Sequence, residues 1–314
     1  MADQGGVIGF YSPDEEPQPW KSRLELDLPE FRFELLENVS DVHCVHYALV
    51  WNPPVGFLNQ FVNLKAVFVL GAGVDSLLRD KTLPPVPIVK LSDAGMANQM
   101  AHYVAYGVLH FHRRFGEYRQ FQMEQRWSPI LDISPAGQFP IGVLGLGAIG
   151  SVVARQIARL GFAVLGWSNS PKQIDGVRTY VGEDDLAELL RESRVLVNLL
   201  PLTHKTENLI DRSFIKRMRP GAFLINIGRG RHVREDDLLE SLEEGLLSGA
   251  MLDVFDEEPL PNGSPLWRHP NLLITPHVSG ITMPQIALDQ IVKNIQLIEF
   301  GETPRSLVDL DRGY

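Results

Sequence analysis

Three polar residues stand where a chain of alternating strands and helices turns, and their types suit one reaction. Arg229 lies between glycines in "GRGRHV", Glu258 closes the acidic run before Pro259, and His277 sits in "TPHVSG". Each has an ordinary explanation alone: a loop arginine bound to water, a solvated acidic turn, a structural histidine. Together they are complementary. A guanidinium fork can hold a carboxylate bidentately. A carboxylate beside an imidazole fixes its tautomer and favours its protonated form. A protonated imidazole is the acid that a carbonyl oxygen needs when hydride reaches the carbon. With a nicotinamide dinucleotide, the set describes reduction of a 2-keto acid. Arg231 and Arg234 close by read as surface residues. No metal site is expected, because the His43, Cys44, His46 spacing lacks a second ligand pair.

The hydride source has its own signature. "GLGAIG" spans Gly145 to Gly150 inside "PIGVLGLGAIGSVVARQIARLGFAVLGW", which reads as strand, glycine turn, amphipathic helix and second strand. Gly145 permits the tight turn and Gly147 lets the backbone approach a pyrophosphate. Gly150 allows close helix packing, with the phosphate on the helix N-terminus. The second strand of an NAD site usually ends on an acid, but this one runs into "SNSPK". Ser168, Asn169, Ser170 and Lys172 offer hydroxyls, an amide and a cation, which suit a ribose 2′-phosphate. A solvated loop tolerating either cofactor is the alternative. NADP(H) is favoured and NAD(H) remains open.

These residues need a scaffold that gathers strand ends. Short apolar runs ("GVIGFYS", "FRFELL", "YALVW", "LKAVFVL", "VPIVKL") precede a stronger series from Pro140: "PIGVLGL", "FAVLGW", "VRTYV", "RVLVNLL", "AFLINI", "GAMLDV" and "NLLITP". Alternation with helical stretches predicts α/β architecture with parallel sheets, in which ligands bind beyond the carboxyl ends of strands. Between the two series, Asn98 to Trp127 reads as one long amphipathic helical stretch. A last helix in "MPQIALDQIVKNIQLIEFG" stops at Gly301 and is expected to return to the first domain. The expectation is two doubly wound, Rossmann-like parallel-sheet domains with a cleft between them.

Composition excludes other classes. With 314 residues the chain has room for two domains, and its net charge of −10 argues against nucleic acid or an anionic membrane as partner. No apolar run approaches the ~20 residues of a membrane span, and the N-terminal stretch lacks the pattern of a signal peptide. Cys44 is the single cysteine; it reads as a packed residue, and a reducing, cytoplasmic setting is expected.

The blocks "GVLGLGAIG", "NLLPLTHKTENLI", "INIGRGRHV", "GAMLDVFDEEPLP" and "NLLITPHVSG" occur in an order that resembles the D-isomer-specific 2-hydroxyacid dehydrogenases. "YALVWNPP" and "LKAVFVLGAGVDSLL" look like the substrate-domain elements of the bacterial glyoxylate/hydroxypyruvate reductases within that family. The resemblance implies that Arg229 binds the substrate carboxylate and carbonyl, that His277 donates the proton and that Glu258 pairs with it. It places the N–H groups of Ala72 and Gly73 on the carboxylate and Trp51 at the substrate pocket. It places Asp253 near the nicotinamide carboxamide. Ala148, Ile149, Leu200, Pro201, Thr206, Ile227, Ser279 and Gly280 complete the implied cofactor set. Residues 1–97 and 286–314 would form a discontinuous, flavodoxin-like substrate domain and 98–285 the dinucleotide domain. A homodimer formed through Asn98–Trp127 is implied as well. Two positions depart from the subgroup: Asn169 where a basic residue is common, and Asn52 where some relatives carry a ring. The alternatives are a dehydrogenase for larger keto acids such as phenylpyruvate or branched-chain acids, using NADH or NADPH, and a non-enzymatic nucleotide-sensing scaffold. Formate oxidation is disfavoured because relatives that perform it carry glutamine at the place of Glu258.

Overall fold

A computed structural model describes residues 6–314; residues 1–5, which the expected first domain includes, lie outside the described residues. The chain forms two compact units, Met1–Gly95 with Thr282–Tyr314, and Met96–Ile281.

The smaller unit begins with β1 (Val7–Tyr11), α1 (Gln18–Asp27), β2 (Arg32–Leu35), β3 (Val45–Val50), β4 (Ala66–Val69), α2 (Asp75–Leu78) and β5 (Ile88–Lys90). Its strands pair in parallel in the order β2-β1-β3-β4-β5, the flavodoxin-like doubly wound order. Both faces of a parallel sheet are covered, so central strands read as unbroken apolar runs; Ala48, Leu49, Val50, Val67, Phe68 and Val69 are all buried. On one face α1 buries Trp20 and Leu24.

The Trp20 indole N–H donates to Glu15 Oε2 at 3.0 Å. Burial pushes the Glu15 carboxyl up to about 7; the Trp20 bond opposes this and the charge of Asp14 adds to it. A carboxyl raised in the fold favours folding while protonated. The stability it supplies is complete below its ordinary pKa and is lost as pH rises towards 7. Thermal melts of wild type and Glu15→Gln between pH 5 and pH 8 test this. The wild type should lose roughly 1–2 kcal/mol more than the variant across that range, a figure already reduced for solvent screening. Parallel curves would refute it.

The larger unit opens with α3 (Met96–His112) and α4 (Phe115–Met123). Met96, Ala97, Met100, Ala101, Val104 and Val108 form the buried stripe of α3 at helical spacing. The expected single helical stretch is two helices. Arg114 takes a left-handed conformation at φ 57°, and its guanidinium pairs with Glu117 one turn on, at 2.5 and 2.6 Å. Polypeptide past α4 leaves the helix, and Trp127 is 98% exposed.

There follow β6 (Ile141–Leu144), α5 (Ala148–Arg159), β7 (Val164–Trp167), β8 (Val177–Tyr180), α6 (Glu183–Glu192) and β9 (Val195–Asn198). Then come α7 (Arg212–Arg217), β10 (Ala222–Asn226), α8 (Glu235–Glu243), β11 (Leu247–Leu252) and β12 (Leu272–Ile274). The sheet order is β12-β11-β10-β9-β6-β7-β8, all pairs parallel. Strand order reverses between β6 and β9, where such sheets leave a crevice at their carboxyl edge.

The chain then re-enters the smaller unit, where α9 (Pro284–Glu299) packs against α1. Gly301, at φ 75°, ends α9: its N–H reaches Ile298 O and the Glu302 N–H reaches Leu297 O, a Schellman cap. Among the described residues no helix is long and apolar enough to cross a membrane.

Candidate active site

The carboxyl edge of the seven-stranded sheet carries every residue singled out in the larger unit. After β6 comes the glycine turn. Gly145 has φ 97°, and a Cβ there would lie 2.8 Å from Leu199 O; at Gly150 it would lie 1.8 Å from Gly145 O. Any side chain would force the turn and α5 apart. Gly147 differs, since a Cβ there meets nothing within 4 Å. Gly147 and Ala148 are exposed, Ile149 is half-buried, and no side chain caps the N-terminus of α5. The free N–H groups at that end and the open space above Gly147 fit a pyrophosphate.

After β7, Ser168 is buried and its hydroxyl donates to Ser170 O at 2.7 Å, so it shapes the loop. Asn169, Ser170 and Lys172 are exposed and make no side-chain hydrogen bond among the described residues.

After β9, the loop through Leu200 and Pro201 is closed by Thr206, whose hydroxyl donates to Pro201 O at 2.7 Å and accepts the Thr203 N–H at 2.8 Å. Leu200 and Ile227 are buried. Beneath them lies a network that sequence reading missed. Asn198 Nδ2 donates to Asn226 Oδ1 and to His232 Nδ1, both at 2.9 Å. Asn198 Oδ1 accepts the Leu200 N–H at 3.3 Å, and Asn226 Nδ2 donates to Arg229 O at 3.0 Å. The signal was present: "VLVN" and "AFLIN" each end an apolar strand on a buried asparagine, which must find partners.

Arg229 follows β10 in extended conformation, half-buried, with Nη1 donating to Gly228 O at 2.8 Å. Arg231, expected at the surface, ties neighbouring loops together by pairing with Glu207 and, at 3.8 Å, with Asp256. The loop after β11 brings Glu258 round so that Oε1 accepts the Phe255 N–H at 2.9 Å and Oε2 meets His277 Nδ1 at 2.7 Å. Burial tends to raise the Glu258 carboxyl. The His277 bond, the Phe255 N–H and the charges of His277 and Arg229 outweigh it and hold the group below its ordinary value. Glu258 is therefore a carboxylate at neutral pH. With Nδ1 held, Nε2 is the nitrogen of His277 left to give a proton.

His277 itself has φ 54°, a left-handed conformation uncommon outside glycine. Asp253 enforces it. Its carboxylate, fully buried, accepts the Thr275 hydroxyl at 2.6 Å, the Val278 N–H at 2.9 Å and the Ser279 N–H at 2.8 Å, while its carbonyl accepts the His277 N–H at 2.8 Å. Tyr103 braces the same turn through Thr275 at 2.6 Å. Ser279 is buried, and Gly280 lies against Met96 and Met100 of α3.

In the smaller unit, Trp51, Ala72 and Gly73 likewise follow strand ends, those of β3 and β4. Trp51 is half-buried and packs over Gly71. Ala72 and Gly73 are half-exposed, and their N–H groups meet no acceptor among the described residues. Asn52 has φ 45°, a conformation that asparagine tolerates better than a bulky ring-bearing residue.

Known proteins resemble this chain in sequence and in fold. The family model described as the NAD binding domain of the D-isomer specific 2-hydroxyacid dehydrogenases matches residues 106–279. A glyoxylate/hydroxypyruvate reductase A of Serratia proteamaculans is 45% identical over 313 residues, 98% of this chain and 99% of its own. A D-isomer specific 2-hydroxyacid dehydrogenase from Xanthobacter autotrophicus Py2, solved in complex with NADPH and MES, has a TM-score of 0.94 at 41% identity, covering 99% of this chain and 100% of that one. An NADPH-dependent glyoxylate/hydroxypyruvate reductase from Sinorhizobium meliloti, in complex with NADP and sulfate, has a TM-score of 0.91 at 31% identity, with 99% and 100% covered. The chain belongs to the D-isomer specific 2-hydroxyacid dehydrogenase family.

Proposed function

We propose that this enzyme reduces small 2-keto acids, glyoxylate and hydroxypyruvate foremost, with NADPH as reductant. The observation that carries the reading is the Glu258–His277 pair at 2.7 Å, on the same sheet edge as Arg229 and the glycine turn. Relatives named for this reaction, and similar structures holding NADPH or NADP, support it.

The α5 N-terminus through Gly147 and Ala148, and the loops carrying Leu200, Pro201 and Thr206, would hold the dinucleotide. Asn169, Ser170 and Lys172 would receive its 2′-phosphate. When bound, NADPH supplies hydride for the keto carbon. Arg229 orients the substrate by its carboxylate, a fork-to-fork contact that also polarises the carbonyl. His277 Nε2 gives its proton to the carbonyl oxygen, and Glu258 steadies the imidazolium before that transfer. The family resemblance assigns the Ala72 and Gly73 N–H groups to a substrate carboxylate and Trp51 to limiting substrate size.

The working form is a cytoplasmic homodimer. Tyr106, Phe115, Met123 and Trp127 on the α3–α4 segment are exposed large hydrophobics of the kind that a partner covers.

Values of kcat/KM for NADPH and NADH against glyoxylate, hydroxypyruvate, phenylpyruvate and a branched keto acid test the reading. NADPH should be preferred, and the two small acids should lead. A clear NADH preference would contradict the assignment of the loop after β7, and a lead for phenylpyruvate would contradict the substrate size.

A further inference from the structure

His232 is fully buried and stands between the two loops that the reaction needs. Its Nδ1 accepts the Arg229 backbone N–H at 3.1 Å and an Asn198 Nδ2 hydrogen at 2.9 Å. A nitrogen that faces two donors carries no proton, so the ring is the neutral tautomer with hydrogen on Nε2. That Nε2–H donates to Pro201 O at 3.2 Å. One arm of the ring thus fixes the backbone of the substrate-binding arginine, and the other fixes the loop assigned to the dinucleotide.

We propose that His232 is a positioning residue with two separable duties: Nδ1 sets Arg229 for the keto-acid carboxylate, and Nε2–H sets the Leu200–Thr206 loop for the dinucleotide. The inference rests on the function proposed above. It follows from burial and connectivity. A side chain with no route to solvent cannot meet substrate itself, so it acts through the groups it bonds; Thr206 shares Pro201 O with it. The neighbouring asparagines brace the same loops from beneath, and His232 is the group that bonds to both Arg229 and Pro201.

Two substitutions separate the duties, because an asparagine oxygen falls near the place of Nδ1 and a glutamine amide near that of Nε2. His232→Asn should leave the KM for glyoxylate or hydroxypyruvate within about twofold of wild type while the Kd for NADPH rises about tenfold, the scale of one lost buried hydrogen bond. His232→Gln should do the reverse, raising the keto-acid KM about tenfold with the NADPH Kd held within about twofold. Variants that shift both constants alike, or neither, would overturn the proposal in favour of a merely structural histidine. Histidine 15N NMR of the wild type gives a second measurement that needs no variant to fold. His232 should show a protonated Nε2 and an unprotonated Nδ1, and the opposite tautomer would overturn the proposal. Wild-type turnover is measured first. Its absence would overturn the reductase reading together with this inference, whereas turnover with unsplit constants would overturn this inference alone.

Discussion

Replacing His277 by asparagine should lower kcat by about 100- to 10,000-fold, the usual contribution of a general acid, while NADPH still binds. Asparagine suits the site in two ways. It tolerates the left-handed backbone that His277 adopts at φ 54°, so the turn pinned by Asp253 is kept. Its amide can also occupy the place of Nδ1 opposite Glu258, so the carboxylate is not left buried alone. What it lacks is the Nε2 proton. Steady-state kinetics with hydroxypyruvate, beside NADPH binding by fluorescence, would separate lost chemistry from lost structure. A His277→Asn enzyme that turns over near the wild-type rate would remove the histidine from the reaction.

The second large effect is expected at Arg229. Arg229→Lys keeps the charge and the backbone N–H that His232 accepts, but replaces a planar fork with a point charge. Two charge-assisted hydrogen bonds to the substrate are worth about 1.5–3 kcal/mol each. The loss in kcat/KM for glyoxylate should therefore be roughly 100- to 10,000-fold. Much of it should lie in KM, since the carboxylate is bound before and during the transfer. A neutral glyoxylate analogue lacking the carboxylate should be a poor substrate for the wild type and should lose far less on substitution. Equal losses for the acid and the analogue would contradict a carboxylate contact.

The sheets were legible because parallel strands buried on both faces leave unbroken apolar runs, from "YALVW" in the smaller unit to "AFLINI" in the larger. Once those strands lie parallel, their carboxyl ends share an edge, so residues as far apart as Gly147, Arg229 and His277 are gathered by topology. The Glu258–His277 pair could be anticipated on that basis. The end of α3 could not, because the chain breaks at Arg114 without glycine or proline and the apolar spacing continues beyond it. Asp253 shows a different limit. Its residue type suits a cofactor contact, and only the folded chain shows that its carboxylate also accepts three hydrogen bonds from the turn that holds His277. His232 is not legible because a histidine three residues after a substrate-binding arginine reads as loop, and only the folded chain shows it buried and bonded to that arginine's backbone.

The most direct measurement is a stoichiometric one on the purified wild type: NADPH consumed, followed by absorbance, against hydroxy acid formed from glyoxylate or hydroxypyruvate. The expected result is one hydroxy acid per NADPH, with no consumption when keto acid is omitted. Tight NADPH binding without reduction of any 2-keto acid would contradict the central claim and leave a nucleotide-sensing scaffold in its place.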